Sequence, residues 1–223
     1  EPPRTVPVDP RSAREVALDW TRRLRLPGMA SFVVLICFYK FGDSMVATLI
    51  GPFMRDQGIS KEMIALMKGT VGSLASLAGA ALGGWFAFRA GRRSALLVCG
   101  LLQTASLLFY VAAAYGIGGI AMFWAGNVAE HLFGSMATVA LFTLMMDASD
   151  PEHAGTDYTL LACAIVVAMG LANFTGASIA DAVGYAPTFV AGFVLSGLGC
   201  LVLVHSLDRR RGPGRLQPVW RPA

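Results

Sequence analysis

Six runs of mostly apolar residues dominate the chain, at about 29–53, 62–87, 95–115, 118–146, 158–180 and 186–206. A helix needs roughly 20 such residues to span a hydrocarbon core of about 30 Å. Each run meets that length. Only short polar or glycine-bearing breaks separate them: RDQGISK, FRAGRRS, YGIGG, DASDPEHAGTD and DAVGYAP. The expected fold class is therefore an all-α membrane protein with six transmembrane helices. Composition agrees, since 14% of residues are charged against about 25% in soluble domains. Glycine and proline within the runs do not argue against helices, because both are commoner in transmembrane helices than in soluble ones.

Three regions follow: a linker over 1–28, a six-helix domain over 29–206 and a basic tail over 207–223. The opening EPPRTVPVDPRSAR is rich in proline and charge, begins with Glu1 and lacks a signal peptide's apolar core. It reads as a linker, and the chain is expected to begin partway through a longer protein. Within it, ALDWTRRLRL mixes apolar residues with arginine. It reads equally as an interfacial helix with Trp20 at headgroup level or as a basic tether.

Lysine and arginine set the expected orientation. Arg4, Arg11, Arg14, Arg22, Arg23 and Arg25 precede the first run; Arg89, Arg92 and Arg93 fall in the second break; Arg209, Arg210, Arg211, Arg215 and Arg221 follow the last. All of these belong to one side of a six-span protein, whereas Arg55 and Lys61 alone lie on the other. The positive-inside rule then places both ends of the segment in the cytoplasm. The net charge of +4 is thus a topology signal and calls for no nucleic acid.

Small residues mark the helix contacts. Gly72, Ser76, Ala80 and Gly84 recur every fourth position, beside Ala75, Gly79 and Gly83; Ala168, Ala172, Gly176 and Ala180 do the same later. Such ridges let helix backbones approach where lipid gives no hydrophobic drive for association. Cys37, Cys99, Cys163 and Cys200 stand singly in apolar runs and read as packing residues. No metal-ligand spacing, cofactor motif or nucleophile with a partner base is present, so neither a metal, a cofactor nor an enzyme is expected.

The informative residues are charges at membrane depth. Lys40 and Asp43 sit near the middle of the first run, three apart and hence on one helix face. Each such charge costs about 2.5–3.5 kcal/mol on insertion scales. The pair either fixes helix register or faces a polar cavity. Asn127, Glu130 and His131 form a second deep cluster, also able to share one side of a helix. It serves either interhelical hydrogen bonding or proton carriage, for which Asp43, Glu130 and His131 are the candidates. Lys68, near the outer end of its run, either snorkels to the headgroups or joins Lys40 and Asn127 in binding an anionic substrate. Gln103, Asn173 and Thr175 are neutral candidates for lining the same cavity.

A resemblance supports this picture. GGWFAFRAGRR resembles the signature loop of the major facilitator superfamily, with Gly84, Arg89, Gly91, Arg92 and Arg93 in matching places. Phe88 stands where that superfamily usually has aspartate, so the loop is expected to orient and dock rather than relay charge. FYKFGD (38–43), KGTVG (68–72) and GASIADAVGYAPTFVAG (176–192) resemble the AmpG-type muropeptide permeases of that superfamily. The resemblance implies the C-terminal six-helix half of a major-facilitator bundle, with the N-terminal half as its partner. It further implies proton-coupled import of GlcNAc-anhydromuramyl-peptides across the bacterial inner membrane. Transport of an acetyl-CoA-like anion or a sugar, or a non-transporting scaffold of the same fold, remain open alternatives.

Overall fold

A computed structural model describes residues 13–220 of the chain. Arg4, Arg11 and Arg221, counted above in the charge asymmetry, lie outside the described residues. Helix α1 (Ala13–Leu24) precedes α2 (Met29–Asp56). A run of 54 residues then extends from Lys61 to Ala114. Helices α5 (Gly119–Ala148), α6 (Ala154–Val183) and α7 (Tyr185–Asp208) follow. By length and composition, five continuous helical runs can cross a membrane among the described residues.

The sequence predicted six crossings, and the long run accounts for the sixth. It is divided at Gly91, whose φ of 78° and ψ of 165° are not helical. The parts before and after Gly91, 61–90 and 92–114, are called α3 and α4 below. The break FRAGRRS thus contributes a single non-helical residue, in a region of backbone space essentially confined to glycine.

Contacts show that α3 and α4 run in opposite directions. Along α3, the contact sites of Gly72, Gly79 and Gly83 meet His131, Leu132 and Met136 of α5 in ascending order. Along α4 the order inverts: Gln103 approaches Gly134, whereas Phe109 and Tyr110 approach Gly126. The same reading makes α2 antiparallel to α7, through Phe38 with Gly199 and Val46 with Gly192. Helix α6 runs parallel to α2, through Cys37 with Ala164 and Met45 with Gly176. Six alternating passes result.

Small residues create these contacts. A Cβ on Gly42 would collide with the backbone of Ser196, and one on Gly199 would fall 2.6 Å from the Phe38 carbonyl oxygen. Both expected ridges are used. Gly72 and Ser76 face His131, Gly79 and Gly83 face the α5 backbone, and Ala168, Ala172 and Gly176 are buried. Cys99 and Cys200 are buried packing residues as expected, but Cys163 is exposed. Exposed Val34, Leu77, Phe88, Val166 and Phe174 give the surface the apolar character a lipid-facing bundle needs.

The apolar core falls into two clusters. One holds Phe32, Ile36, Leu96, Leu141, Leu203, Leu216 and Trp220. The other holds Val46, Phe53, Met54, Met67, Tyr110, Phe123 and Phe189. Between them on α2 lie Lys40, Asp43 and Ser44, all buried. Thr104 and Ser196 share a buried hydrogen bond of 2.9 Å on α4 and α7, adding to this polar layer.

Candidate functional site

The polar layer opens into a cavity of about 120 Å³ lined by Lys40, Asp43, Ser76, Glu130, His131, Gly134, Ser135 and Thr138. Three helices supply it: α2 carries the ion pair, α3 the serine and α5 the rest. Every lining residue except Gly134 carries a polar side chain. The cavity therefore offers a positive charge, two carboxyl groups, an imidazole and three hydroxyls in one place.

Lys40 Nζ lies 2.9 Å from Asp43 Oδ2. Asp43 Oδ1 is buried without a hydrogen-bond partner. The other side of α2 explains why the pair faces inward. Gly42 is pressed against the α7 backbone, and the 100° step of a helix then turns Asp43 and Lys40 away from α7. The pair thus faces a polar cavity and is not sealed in an apolar core.

On α5, His131 Nδ1 lies 3.1 Å from Ser76 Oγ, and His131 Nε2 lies 3.6 Å from Glu130 Oε2. Gly72 makes room for the ring, since a Cβ there would fall 2.7 Å from Nε2. Three of the predicted proton and substrate residues, Asp43, Glu130 and Lys40, thereby meet His131 around one space.

Two other predicted residues lie beside the cavity and not in its wall. Lys68 sits in a π-helical turn, Ala65–Val71, and is half-buried. Its charge still reaches Glu130 and His131 through Coulombic interaction. Asn127 is fully buried, and its Nδ2 donates to the Met67 carbonyl oxygen at 2.6 Å. A π turn displaces carbonyls from the regular ladder, and Asn127 satisfies one of them. It braces the turn that holds Lys68.

Gln103, Asn173 and Thr175 also lie outside the cavity wall. Gln103 Nε2 is buried without a partner behind Gly134. Asn173, with its amide nitrogen turned towards α2, donates to the Ser44 carbonyl oxygen at 2.9 Å. Thr175 Oγ1 returns to the Leu171 carbonyl of its own helix.

Sequence reasoning missed Ser76, Ser135 and Thr138 as cavity residues. Ser76 stands within a small-residue ridge, where a hydroxyl reads as packing. The four-residue spacing of Gly134 and Thr138 after Glu130 was the available signal.

The loop residues fall at the end of the bundle shared by α1 and the tail. Gly91 makes the reversal and Arg89 is exposed. Gly84 is half-buried, and a Cβ there would meet only Val139 at 3.9 Å. Arg92 Nε donates to Asp147 Oδ2 at 2.6 Å, and Arg93 grips Asp208 with contacts of 2.7 and 2.9 Å. Asp147 thereby ties the reversal to α5. Nearby, Arg23 donates both Nε and Nη2 to the buried carboxylate of Asp157. Arg215 of the tail reaches Asp150 at 2.8 Å. The acidic break after α5 is thus the receiver for arginines from the linker and the tail.

Comparison with known proteins bears on this arrangement. Residues 32–222 match the family model described as Major Facilitator Superfamily. An uncharacterized protein of Haemophilus influenzae is 28% identical over 187 residues, covering 80% of this chain and 44% of its own length. The putative transporter AmpG 4 of Rickettsia conorii is 20% identical, with 78% and 42% covered. The anhydromuropeptide permease of Escherichia coli K12 is 30% identical over 169 residues, with 72% and 33% covered. The chain spans less than half the length of each of these relatives. Its six alternating helical passes and this match place it in one family: the chain belongs to the major facilitator superfamily, as half of that superfamily's helical bundle.

Proposed function

We propose that this chain is the C-terminal six-helix half of a proton-coupled importer of anionic cell-wall fragments, the GlcNAc-anhydromuramyl-peptides. The observation that carries the reading is the cavity where Lys40, Asp43, Glu130 and His131 meet at mid-depth on two different helices. Secondary transporters bind substrate near the midplane between two halves and rock around that site. Charges held at that depth mark substrate or proton paths. Hydroxyls of Ser135 and Thr138 beside a lysine suit a ligand rich in hydroxyls and carboxylates. The names of the relatives, a putative AmpG transporter and an anhydromuropeptide permease, point to the same substrate class.

Within this reading Lys40 meets a substrate carboxylate, and Asp43 is thereby released to take a proton. Lys68 adds positive potential at the entrance, with Asn127 holding its turn in place. Glu130 and His131 complete the proton path. The partner is an N-terminal six-helix half, which closes the open side of the cavity. Both ends of the described segment lie in the cytoplasm of a bacterial inner membrane. Their support is the arginine-rich end formed by Arg23, Arg92, Arg93, Arg209, Arg210, Arg211 and Arg215.

Competition tests the substrate. Labelled muropeptide uptake by the full-length transporter in proteoliposomes should be blocked by unlabelled GlcNAc-anhydromuramyl-peptide and not by acetyl-CoA or free hexoses. Blockade by acetyl-CoA or hexose alone reassigns the solute, and an absence of flux for every solute removes the transport reading.

A further inference from the structure

Resting on the proton-coupled reading of this site, the geometry points to Ser76 as the residue that positions His131 to receive a proton from Glu130. A hydroxyl has one hydrogen to donate and lone pairs to accept. Ser76 Oγ lies 3.1 Å from His131 Nδ1 and 3.5 Å from the His131 carbonyl oxygen. The carbonyl accepts only, so Ser76 satisfies both contacts when its O–H donates to the carbonyl and its oxygen accepts Nδ1–H. This fixes the neutral imidazole with its proton on Nδ1 and its free lone pair on Nε2.

Nε2 is buried and has no hydrogen-bond partner. Its polar neighbour is Glu130 Oε2 at 3.6 Å, just outside hydrogen-bond reach, and such contacts commonly tighten only in the working complex. The ring cannot easily move away. Gly72 lies against it, where a Cβ would fall 2.7 Å from Nε2, and Ser76 holds the opposite nitrogen. Rotation of the Glu130 side chain therefore closes the gap.

The step balances simply. The Glu130 Oε2–H bond breaks and an N–H bond forms on His131 Nε2, leaving a carboxylate and an imidazolium with no change in total charge. The groups facing this pair are Lys40 and Asp43 from α2, Ser76, Gly72 and the more distant Lys68 from α3, and Tyr110 from α4. In this arrangement Ser76 is a positioning residue and needs no contact with substrate.

Nitrogen-15 NMR of labelled imidazoles in the full-length transporter tests the assignment, with the His131 signal identified by its loss in His131→Asn. Expected at a pH where the ring is neutral is protonated Nδ1 with bare Nε2. Ser76→Thr should keep that tautomer, and Ser76→Ala should replace it by a mixture. Gradient-driven uptake should fall about tenfold in Ser76→Ala, the scale of one lost hydrogen bond to a charged group, and recover in Ser76→Thr. A protonated Nε2 in the unaltered protein, or a tautomer unchanged by Ser76→Ala, overturns the inference. The spectrum is read without substrate or gradient, so it decides the proton's place separately. Uptake indifferent to protons would instead defeat the functional reading.

Discussion

Lys40 Nζ sits 2.9 Å from Asp43 Oδ2, three residues further along the same helix, while the second oxygen of Asp43 has no partner. The pair is neutral as a unit but unsaturated. Removing one member should therefore do more harm than removing both. Asp43→Asn leaves a buried ammonium and should lower stability by about 3–5 kcal/mol, read as an earlier thermal unfolding in detergent. The double change Lys40→Met with Asp43→Leu should recover most of that loss without restoring uptake. Equal stability of single and double variants would show that the pair is solvated.

Close backbone contact gives a second expectation. Gly42→Ala forces a methyl group into the α7 backbone at Ser196 and should cost about 1–3 kcal/mol. At Gly51, on the same helix, a Cβ would meet nothing within 4 Å. There the same change should be neutral or stabilise by about 0.5–1 kcal/mol. Thermal unfolding of the two variants side by side separates contact from propensity.

Gly91 gives a third. With φ of 78° and ψ of 165°, it occupies backbone space that costs other residues about 1–3 kcal/mol. Space is no obstacle, since a Cβ there would also meet nothing within 4 Å. Gly91→Ala should thus be destabilised by strain alone, again as a lower unfolding temperature. A D-alanine placed there by semisynthesis should not be.

The arginine-rich end supplies a pH dependence. Desolvation works against ionisation of Asp150, but the Glu152 amide, Arg215 and Arg23 outweigh it and hold its carboxyl below the usual aspartate range. A depressed carboxyl contributes stability above its unfolded pKa of about 3.9 and loses it as pH falls through the lower folded value. Hydrogen exchange of the tail at 212–220 should be slow near neutrality and accelerate only in strong acid. Asp150→Asn should show fast exchange throughout.

Much of this was legible in the sequence, for identifiable reasons. Hydropathy reports spans because each helix must meet the bilayer alone, whatever its neighbours. Charges such as Lys40, Asp43 and Glu130 are legible because their cost at depth demands an explanation. Ser76 was not, since a small polar residue every fourth position serves packing and bonding alike. Arg92 with Asp147 and Arg23 with Asp157 were not, because pairs 55 and 134 residues apart leave no local pattern. The tightness of the turn at Gly91 also escaped, as seven residues of mixed polarity read as a loop when one suffices.

The measurement closest to the central claim is muropeptide uptake by the full-length transporter in proteoliposomes under an inward proton gradient. Asp43→Asn and Glu130→Gln should each abolish the stimulation of uptake by the gradient, in protein shown to be folded by its thermal transition. Gradient-stimulated uptake unchanged in both variants would contradict a proton path through this cavity.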